Sequence, residues 1–296
     1  MTTSTASRIE AMPPLREVIA AHGLRAQKSF GQHFLLDLNL TRRIARAAGD
    51  LGRGTTIEIG PGPGGLTRGL LIEGAAHVAA VELDRRCIAA LDEMAALADG
   101  RLDVVEGDAL KLSLPALAAE RGWKQPLRIV SNLPYNVGTA LLILWLGQIR
   151  AFESLTLMFQ REVADRLVAA PRSKAYGRLS VLVQFHCEVE RILQIPAAAF
   201  TPPPNVDSTV VRLTPRTVPI DDVDPLSLSR VTEAAFGQRR KMLRGALRTL
   251  VLQPEALLLQ ASIAPTTRAE ELSVEQFCAL ARAYNALPAT DAKQPR

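Results

Sequence analysis

A short β-branched run, Thr55 to Ile59, leads directly into Gly60-Pro61-Gly62-Pro63-Gly64-Gly65 and then into a helical pattern from Leu66 to Glu73. A strand, a glycine loop and a helix in that order predict the first turn of an open α/β sheet. Such a loop lies at the strand's carboxyl end, where ligands bind. The glycines permit close backbone approach, and the prolines at 61 and 63 make the loop rigid, not a flexible linker. Gly60, Gly62 and Gly65 also satisfy G-x-G-x-x-G. A dinucleotide therefore stays open at this point beside other adenosine-bearing cofactors.

The following strands add a residue each. His77 to Leu83 reads as the second strand, and Glu82 at its end sits where a carboxylate accepts hydrogen bonds from two ribose hydroxyls. Asp84 is placed to cap the helix from Arg85 to Ala98. The third strand, Leu102 to Glu106, ends at Gly107-Asp108-Ala109, where Asp108 can accept from the exocyclic amine of an adenine. The fourth, an apolar run from Leu127 to Val130, ends in Ser131-Asn132-Leu133-Pro134-Tyr135-Asn136. These residue types suit alkylation of an exocyclic amine on a planar base. The amine's lone pair is delocalised into the ring, so two acceptors that each take one N–H would turn it toward an incoming methyl group. The Asn132 side-chain oxygen can be one acceptor and a carbonyl of the Leu133-Pro134 segment the other. Tyr135 would supply a stacking face. A dehydrogenase explains the glycine loop and Glu82 but has no use for Asn132 to Tyr135. S-adenosylmethionine, a methyl donor with an adenosine end and no pyrophosphate, explains both halves.

Upstream, residues 1–14 read as a flexible tail. Helical spacing follows from Leu15 to Ala26, then Gln27 to Leu35, which include Lys28, His33, Phe34 and Leu35, as a loop or a flap over the cofactor. Asp37 would cap a helix from Leu38 to Ala48. Downstream come a helix from Ala140 to Ile149, a strand from Leu155 to Phe159, and an amphipathic helix over Gln160 to Leu167. Two β-rich stretches follow, Leu179 to Val189 and Thr209 to Leu213. Between those stretches, the Pro-rich segment from Phe200 to Ser208 is rigid and would aim Phe200 at the substrate.

The division expected from these patterns is a cofactor domain over 15–214, a linker over 215–225 and a helical C-terminal domain over 226–296. Within the last, Gln238 to Arg244 is the densest basic cluster. Arg240, Arg244 and Arg248 fall one turn apart on one helix face, with Phe236, Leu243, Leu247 and Leu250 toward the other. With Arg239 and Lys241 they point to phosphate contact. The net charge of +5 over 296 residues agrees with a nucleic-acid partner. Cys87, Cys187 and Cys278 are scattered and odd in number, so they read as core thiols of a reducing compartment. Neither they nor the four histidines show ligand spacing, and no metal is expected. A polar start without an apolar stretch, and no apolar run long enough for a bilayer, predict a soluble cytoplasmic protein with no membrane partner.

These blocks together resemble the ribosomal RNA adenine N6,N6-dimethyltransferases, most closely the small-subunit KsgA/RsmA family. The motifs that carry the resemblance are Phe30 to Leu35, Glu58 to Gly62, Glu82-Leu83-Asp84, Gly107-Asp108-Ala109 and Asn132 to Asn136. Gln160 to Arg166, Tyr176 to Val181, Phe200 to Ser208 and Arg239 to Lys241 extend it over nearly the whole chain. The resemblance implies a Rossmann-like methyltransferase domain with an antiparallel final strand and a small all-α C-terminal domain. It implies dimethylation of two adjacent adenines in the 3′-terminal hairpin loop of 16S rRNA, within the small ribosomal subunit; the protein itself is expected to be a monomer. Cofactor contacts would fall on His33, Leu35, Gly60, Glu82, Asp108 and Asn132. The reaction would fall on Asn132, Leu133, Pro134 and Tyr135, with Phe200 closing a sandwich around the base. His33 departs from the asparagine usual in the family. A ribosome assembly factor, with methylation secondary, is the alternative from a different class.

Overall fold

The computed structural model describes residues 4–26, 31–238 and 240–288. Its contacts divide into two units, Met1–Ala164 with Glu190–Pro215, and Asp165–Val189 with Arg216–Arg296. The strands in chain order are β1 (Phe34–Leu35), β2 (Thr55–Ile59), β3 (Val78–Glu82), β4 (Leu102–Glu106), β5 (Leu127–Asn132), β6 (Phe152–Gln160), β7 (Cys187–Ile195), β8 (Phe200–Thr201) and β9 (Ser208–Pro215). Seven of them form one sheet in the order β4-β3-β2-β5-β6-β9-β7, and β7 belongs to the first unit from Glu190 onward.

The pairings from β4 across to β6 are parallel, and β9 runs antiparallel to β6. This is the expected Rossmann-like α/β sheet with an antiparallel final strand. Every residue of β2 and β3 is buried, as parallel strands covered on both faces require. From β2 the chain winds outward through β3 and β4, then returns to place β5 on the other side of β2. The switch point therefore lies between β2 and β5, and a crevice opens beyond their carboxyl ends.

The amino-terminal segment is not a flexible tail over its described part. Thr5–Glu10 is a helix, with Ser4 accepting at its start from the Ser7 N–H. Ile9 is 1% exposed, in the same core as Ile44, Leu70 and Met94. Burying such a side chain contributes about 1.5–3 kcal/mol, and Arg8 pairs with Asp99 beside it. That anchor outweighs the polar composition that makes the segment read as loose.

The second unit is built on helices, and its limits correct the expected boundaries. Leu179 to His186 is helical, within Arg178–His186, although its valines and Phe185 favour a strand. Ser180 Oγ accepts from the Gly177 N–H at 3.0 Å and donates to Arg166 O at 2.6 Å, which starts the helix and ties it down. Residues 165–189 thus cluster with the C-terminal helices instead of the sheet. Residues 216–224 are packed within this unit and do not form a free linker. Arg216 donates to His186 O and Gln184 O, Asp221 pairs with Arg282, and Asp224 caps Pro225–Gly237. Phe236 stacks on Phe277, with ring centroids 5.4 Å apart, and meets the edge of Tyr176.

Candidate functional site

The site grows from the carboxyl ends of β2, β3 and β5. Beyond β2 the chain rises into the glycine loop, where Gly62 has φ +55° and a Cβ there would stand 3.1 Å from the Phe34 ring. Gly65 begins the helix Gly65–Ile72, and a Cβ on it would lie 2.6 Å from the Leu35 carbonyl oxygen. Both positions need glycine because β1 presses on the loop from outside. Within β2, Glu58 is buried and accepts a hydrogen bond from Thr67 Oγ1 at 2.7 Å. Burial, first, and the charge of Glu82 push its carboxyl up to about 8 against the opposing Thr67 hydrogen bond.

Glu82 closes β3 at 4% exposure. Its Oε2 accepts from the Gly62 N–H and its Oε1 from the Asp84 N–H, both at 2.8 Å. Burial raises its carboxyl from the ordinary value while those two N–H groups hold it down. Each oxygen keeps a second lone pair, so the carboxylate can hold a pair of ribose hydroxyls while it holds the loop. The second role, bracing the loop against β3, is not visible in sequence. After β4, Asp108 accepts from the Leu110 N–H at 3.0 Å through Oδ1 and lies 3.6 Å from Lys111 Nζ through Oδ2.

Asn132 ends β5, and its Nδ2 donates to the His33 carbonyl oxygen at 3.2 Å. A carbonyl only accepts, so this bond fixes the amide's orientation and leaves Oδ1 as an acceptor for the cleft. The Pro134 carbonyl receives both the Val137 N–H (3.2 Å) and the Gly138 N–H (3.0 Å) as the next helix starts. Its two lone pairs are thereby used, and the acceptor left in this segment is the Leu133 carbonyl. Tyr135 Oη and Ser208 Oγ lie 2.5 Å apart. This bond joins the loop after β5 to the first residue of β9, and nothing in the local sequence announces it.

His33, Leu35, Gly60, Glu82, Asp108, Asn132, Leu133, Pro134 and Tyr135 all line one cleft. Phe200 is not among the residues that line it. The β1–β8 pair sets Phe200 opposite Leu35 at 3% exposure, and the His33 ring lies between the two aromatics. The imidazole stacks on Tyr135, with centroids 5.2 Å apart and planes at 30°, and meets Phe200 edge-on at 6.4 Å. The ring stacked on Tyr135 in this structure is therefore that of His33, while strand pairing buries Phe200. Lys28, Phe30 and the rest of the flap over 27–30 lie outside the described residues.

The basic cluster belongs to the second unit and is not one helix. Arg239 lies outside the described residues. Pro225–Gly237 ends before the cluster, Arg240 and Lys241 sit in a turn, and Leu243–Ala246 and Leu247–Thr249 are separate short helical turns. Pairing of Met242 with Arg268, and of the Leu243 N–H with Thr267 O at 2.8 Å, interrupts the helical run. Arg240, Lys241, Arg244 and Arg248 are all exposed, while Leu243 and Leu247 are fully buried. Phe236 stacks on Phe277. Among the described residues no group of His, Cys, Asp or Glu could hold a metal ion, and no helix is long and apolar enough to cross a membrane.

The fit of an adenosine-bearing methyl donor rests on three features of this cleft: a loop whose glycines let a ligand approach, a buried carboxylate with spare lone pairs, and an amide oxygen at the neighbouring strand end. A profile described as ribosomal RNA adenine dimethylase matches residues 23–286. A ribosomal RNA small subunit methyltransferase A from Paracoccus denitrificans is 57% identical over 285 residues, covering 95% of this chain and 99% of that protein. Its counterpart from Paramagnetospirillum magneticum is 59% identical, covering 93% and 96%. A crystal structure of a dimethyladenosine transferase from Plasmodium falciparum superposes with a TM-score of 0.69 at 26% identity, covering 86% of this chain and 98% of that one.

Proposed function

The chain belongs to the ribosomal RNA adenine dimethylase family, and from that premise we propose how its own residues carry the reaction. It is an S-adenosylmethionine-dependent enzyme that dimethylates adenines of 16S rRNA at N6. We assign its targets as two adjacent adenines in the 3′-terminal hairpin loop, presented by the small ribosomal subunit to a cytoplasmic monomer. A dinucleotide, open on the glycine loop alone, has no place in this family.

Bound in the cleft, S-adenosylmethionine supplies an electrophilic methyl group on its sulfonium. Glu82 would take the ribose hydroxyls, and Asp108 the adenine amine of the cofactor, with His33, Leu35, Gly60 and Asn132 completing its contacts. Asn132 Oδ1 and the Leu133 carbonyl would each accept one N6–H of the target adenine. With both protons drawn toward those acceptors and out of the ring plane, the amine pyramidalises, and its lone pair leaves conjugation and points along the line of attack. Tyr135 would offer the base a stacking face, and Pro134 keeps the Leu133 carbonyl in place by fixing its own φ. The alkylated amine is acidic enough to release its proton to water, so no side chain need act as a strong base. Catalysis then rests on positioning and on fixed dipoles. Arg239, Arg240, Lys241, Arg244 and Arg248 would meet RNA phosphates.

The observation that carries this reading is the bond from Asn132 Nδ2 to His33 O. It commits the amide oxygen to accept, as an amine substrate requires. A subunit-binding assembly factor would account for the basic residues but gives that oxygen no task. The test incubates the protein with S-adenosylmethionine and small subunits lacking the 3′-hairpin methylation, then weighs the nucleosides of the digested RNA. Dimethyladenosine at the two loop positions is expected. Subunit binding with no methylation would overturn the assignment.

A further inference from the structure

Tyr135, assigned to stack the target base, already carries an aromatic ring on one face. The His33 imidazole stacks there at 5.2 Å and 30°, with Phe200 edge-on behind it. Its Nδ1 lies 2.7 Å from the Pro202 carbonyl oxygen. That oxygen can only accept, so Nδ1 carries a proton and donates. The His33 main chain is held separately, by Asn132 on its carbonyl and by β1, which begins at the next residue. The ring can therefore leave Tyr135 by rotation about its own side-chain bonds. That movement gives up one stack and one hydrogen bond and disturbs neither Asn132 nor β1.

We infer that His33 is a built-in stand-in for the target base, occupying the Tyr135 stacking face until an adenine displaces it and so setting the threshold for base entry. This rests on the reading that Tyr135 stacks the target. Asn132 links the two states: its Nδ2 holds the His33 backbone in both, while its Oδ1 is satisfied by an N6–H only once a base is in place. A base that brings no N–H to Oδ1 exchanges one stack for another and gains nothing. An adenine gains the acceptor contacts as well. The RNA-free protein keeps its aromatic slot closed to weakly fitting bases at the cost of some affinity for the right one.

The test compares wild type with His33→Asn. An amide retains a donor and an acceptor but has no aromatic face. With S-adenosylhomocysteine bound, a 3′-hairpin RNA that keeps both target adenines and carries a fluorophore at its 5′ end is titrated by fluorescence anisotropy. Loss of the competing ring should tighten hairpin binding about two- to tenfold. Affinity for S-adenosylhomocysteine is measured by calorimetry on the same proteins, and each hairpin titration is run at saturating S-adenosylhomocysteine, so that a changed contact of position 33 with it does not enter the comparison. Unchanged or weaker hairpin binding at saturating S-adenosylhomocysteine would overturn the inference. A readout without RNA comes from the imidazole carbon-bound protons in the nuclear magnetic resonance spectrum. They should show an upfield ring-current shift that Tyr135→Leu removes, and absence of that shift would overturn the inference directly. In either negative case, continued dimethylation of small subunits by the wild type would leave the proposed function standing.

Discussion

The polar groups of the cleft are buried or half-buried and hold one another, whereas the cations of the 240–248 segment stand in solvent above a buried leucine pair. Glu82 braces Gly62 and Asp84, Glu58 takes the Thr67 hydroxyl, and Asn132 takes the His33 carbonyl. Arg240, Lys241 and Arg244 are exposed. In a low dielectric each buried polar contact is strong when made and costly when half-removed, and its effects fall on a few atoms. In water an exposed charge is screened, weak alone and roughly interchangeable with its neighbours. The two regions should therefore answer mutation in different ways. The cleft should respond in turnover and cofactor affinity, and the basic segment in RNA affinity and its dependence on salt.

The largest effect should come from Asn132→Ala. Deleting a preorganised polar contact to the reacting centre lowers turnover by about 100- to 1,000-fold in comparable cases, and that is the loss expected in single-turnover methylation of small subunits. Asn132 is half-buried at a strand end, so the melting temperature should move little. A turnover within threefold of wild type would break the contrast at its strongest point.

Glu82→Gln comes next. The amide keeps the shape but presents an N–H to one of the two backbone N–H groups, Gly62 or Asp84, which then loses its acceptor. Hydrogen bonds to charged groups contribute about 1.5–3 kcal/mol. S-adenosylmethionine affinity should accordingly fall about 10- to 100-fold by calorimetry. A smaller fall in affinity would mean that the carboxylate serves the loop alone.

These two residues also mark how far the sequence reaches. Glu82 and Asn132 are legible as strand ends and Asp108 as the residue two beyond one, because each follows a run whose composition and length fix it as a strand, and the glycine loop fixes which strand comes first. The burial of Phe200 is not legible, because its neighbour in space is set by β1 and β8, two residues each and far apart in the chain. Such short pairings leave no periodic signal. The same holds for Leu179 to His186, where β-branched residues favour a strand and Ser180's tie to Arg166 decides for a helix. It holds again for Ile9, whose burial cannot be read from a polar neighbourhood. The basic segment reads as one helix because arginines recur at helical spacing. Met242 and Leu243 instead pair with Arg268 and Thr267, and those contacts win.

Glu58 gives a smaller and different effect, in stability. Its carboxyl is pushed up to about 8, chiefly by burial. The folded protein thus keeps a proton that the unfolded chain releases near the ordinary value of 4.5. Its contribution is complete below about pH 4.5 and is lost as pH rises through about 8. Wild type should lose melting temperature between about pH 5 and pH 9, and Glu58→Gln should lose less. Parallel curves for the two proteins would show that Glu58 stays ionised in the fold.

The smallest effects belong to the basic segment. Arg240→Ala and Arg244→Ala should each weaken small-subunit binding by about two- to threefold near physiological salt, as expected for single exposed phosphate contacts. Each should also flatten the dependence of log affinity on log salt by about 0.7–0.9. Turnover at saturating subunit should not change, because neither residue belongs to the unit that holds the cleft. The double variant should show the product of the two losses, since exposed charges that share no buried partner act independently. If either substitution instead lowered saturated turnover as Asn132→Ala does, with the salt slope intact, the distinction between a buried reacting centre and a screened, additive docking surface would fail. The arginines would then have to be counted among the groups that position the base.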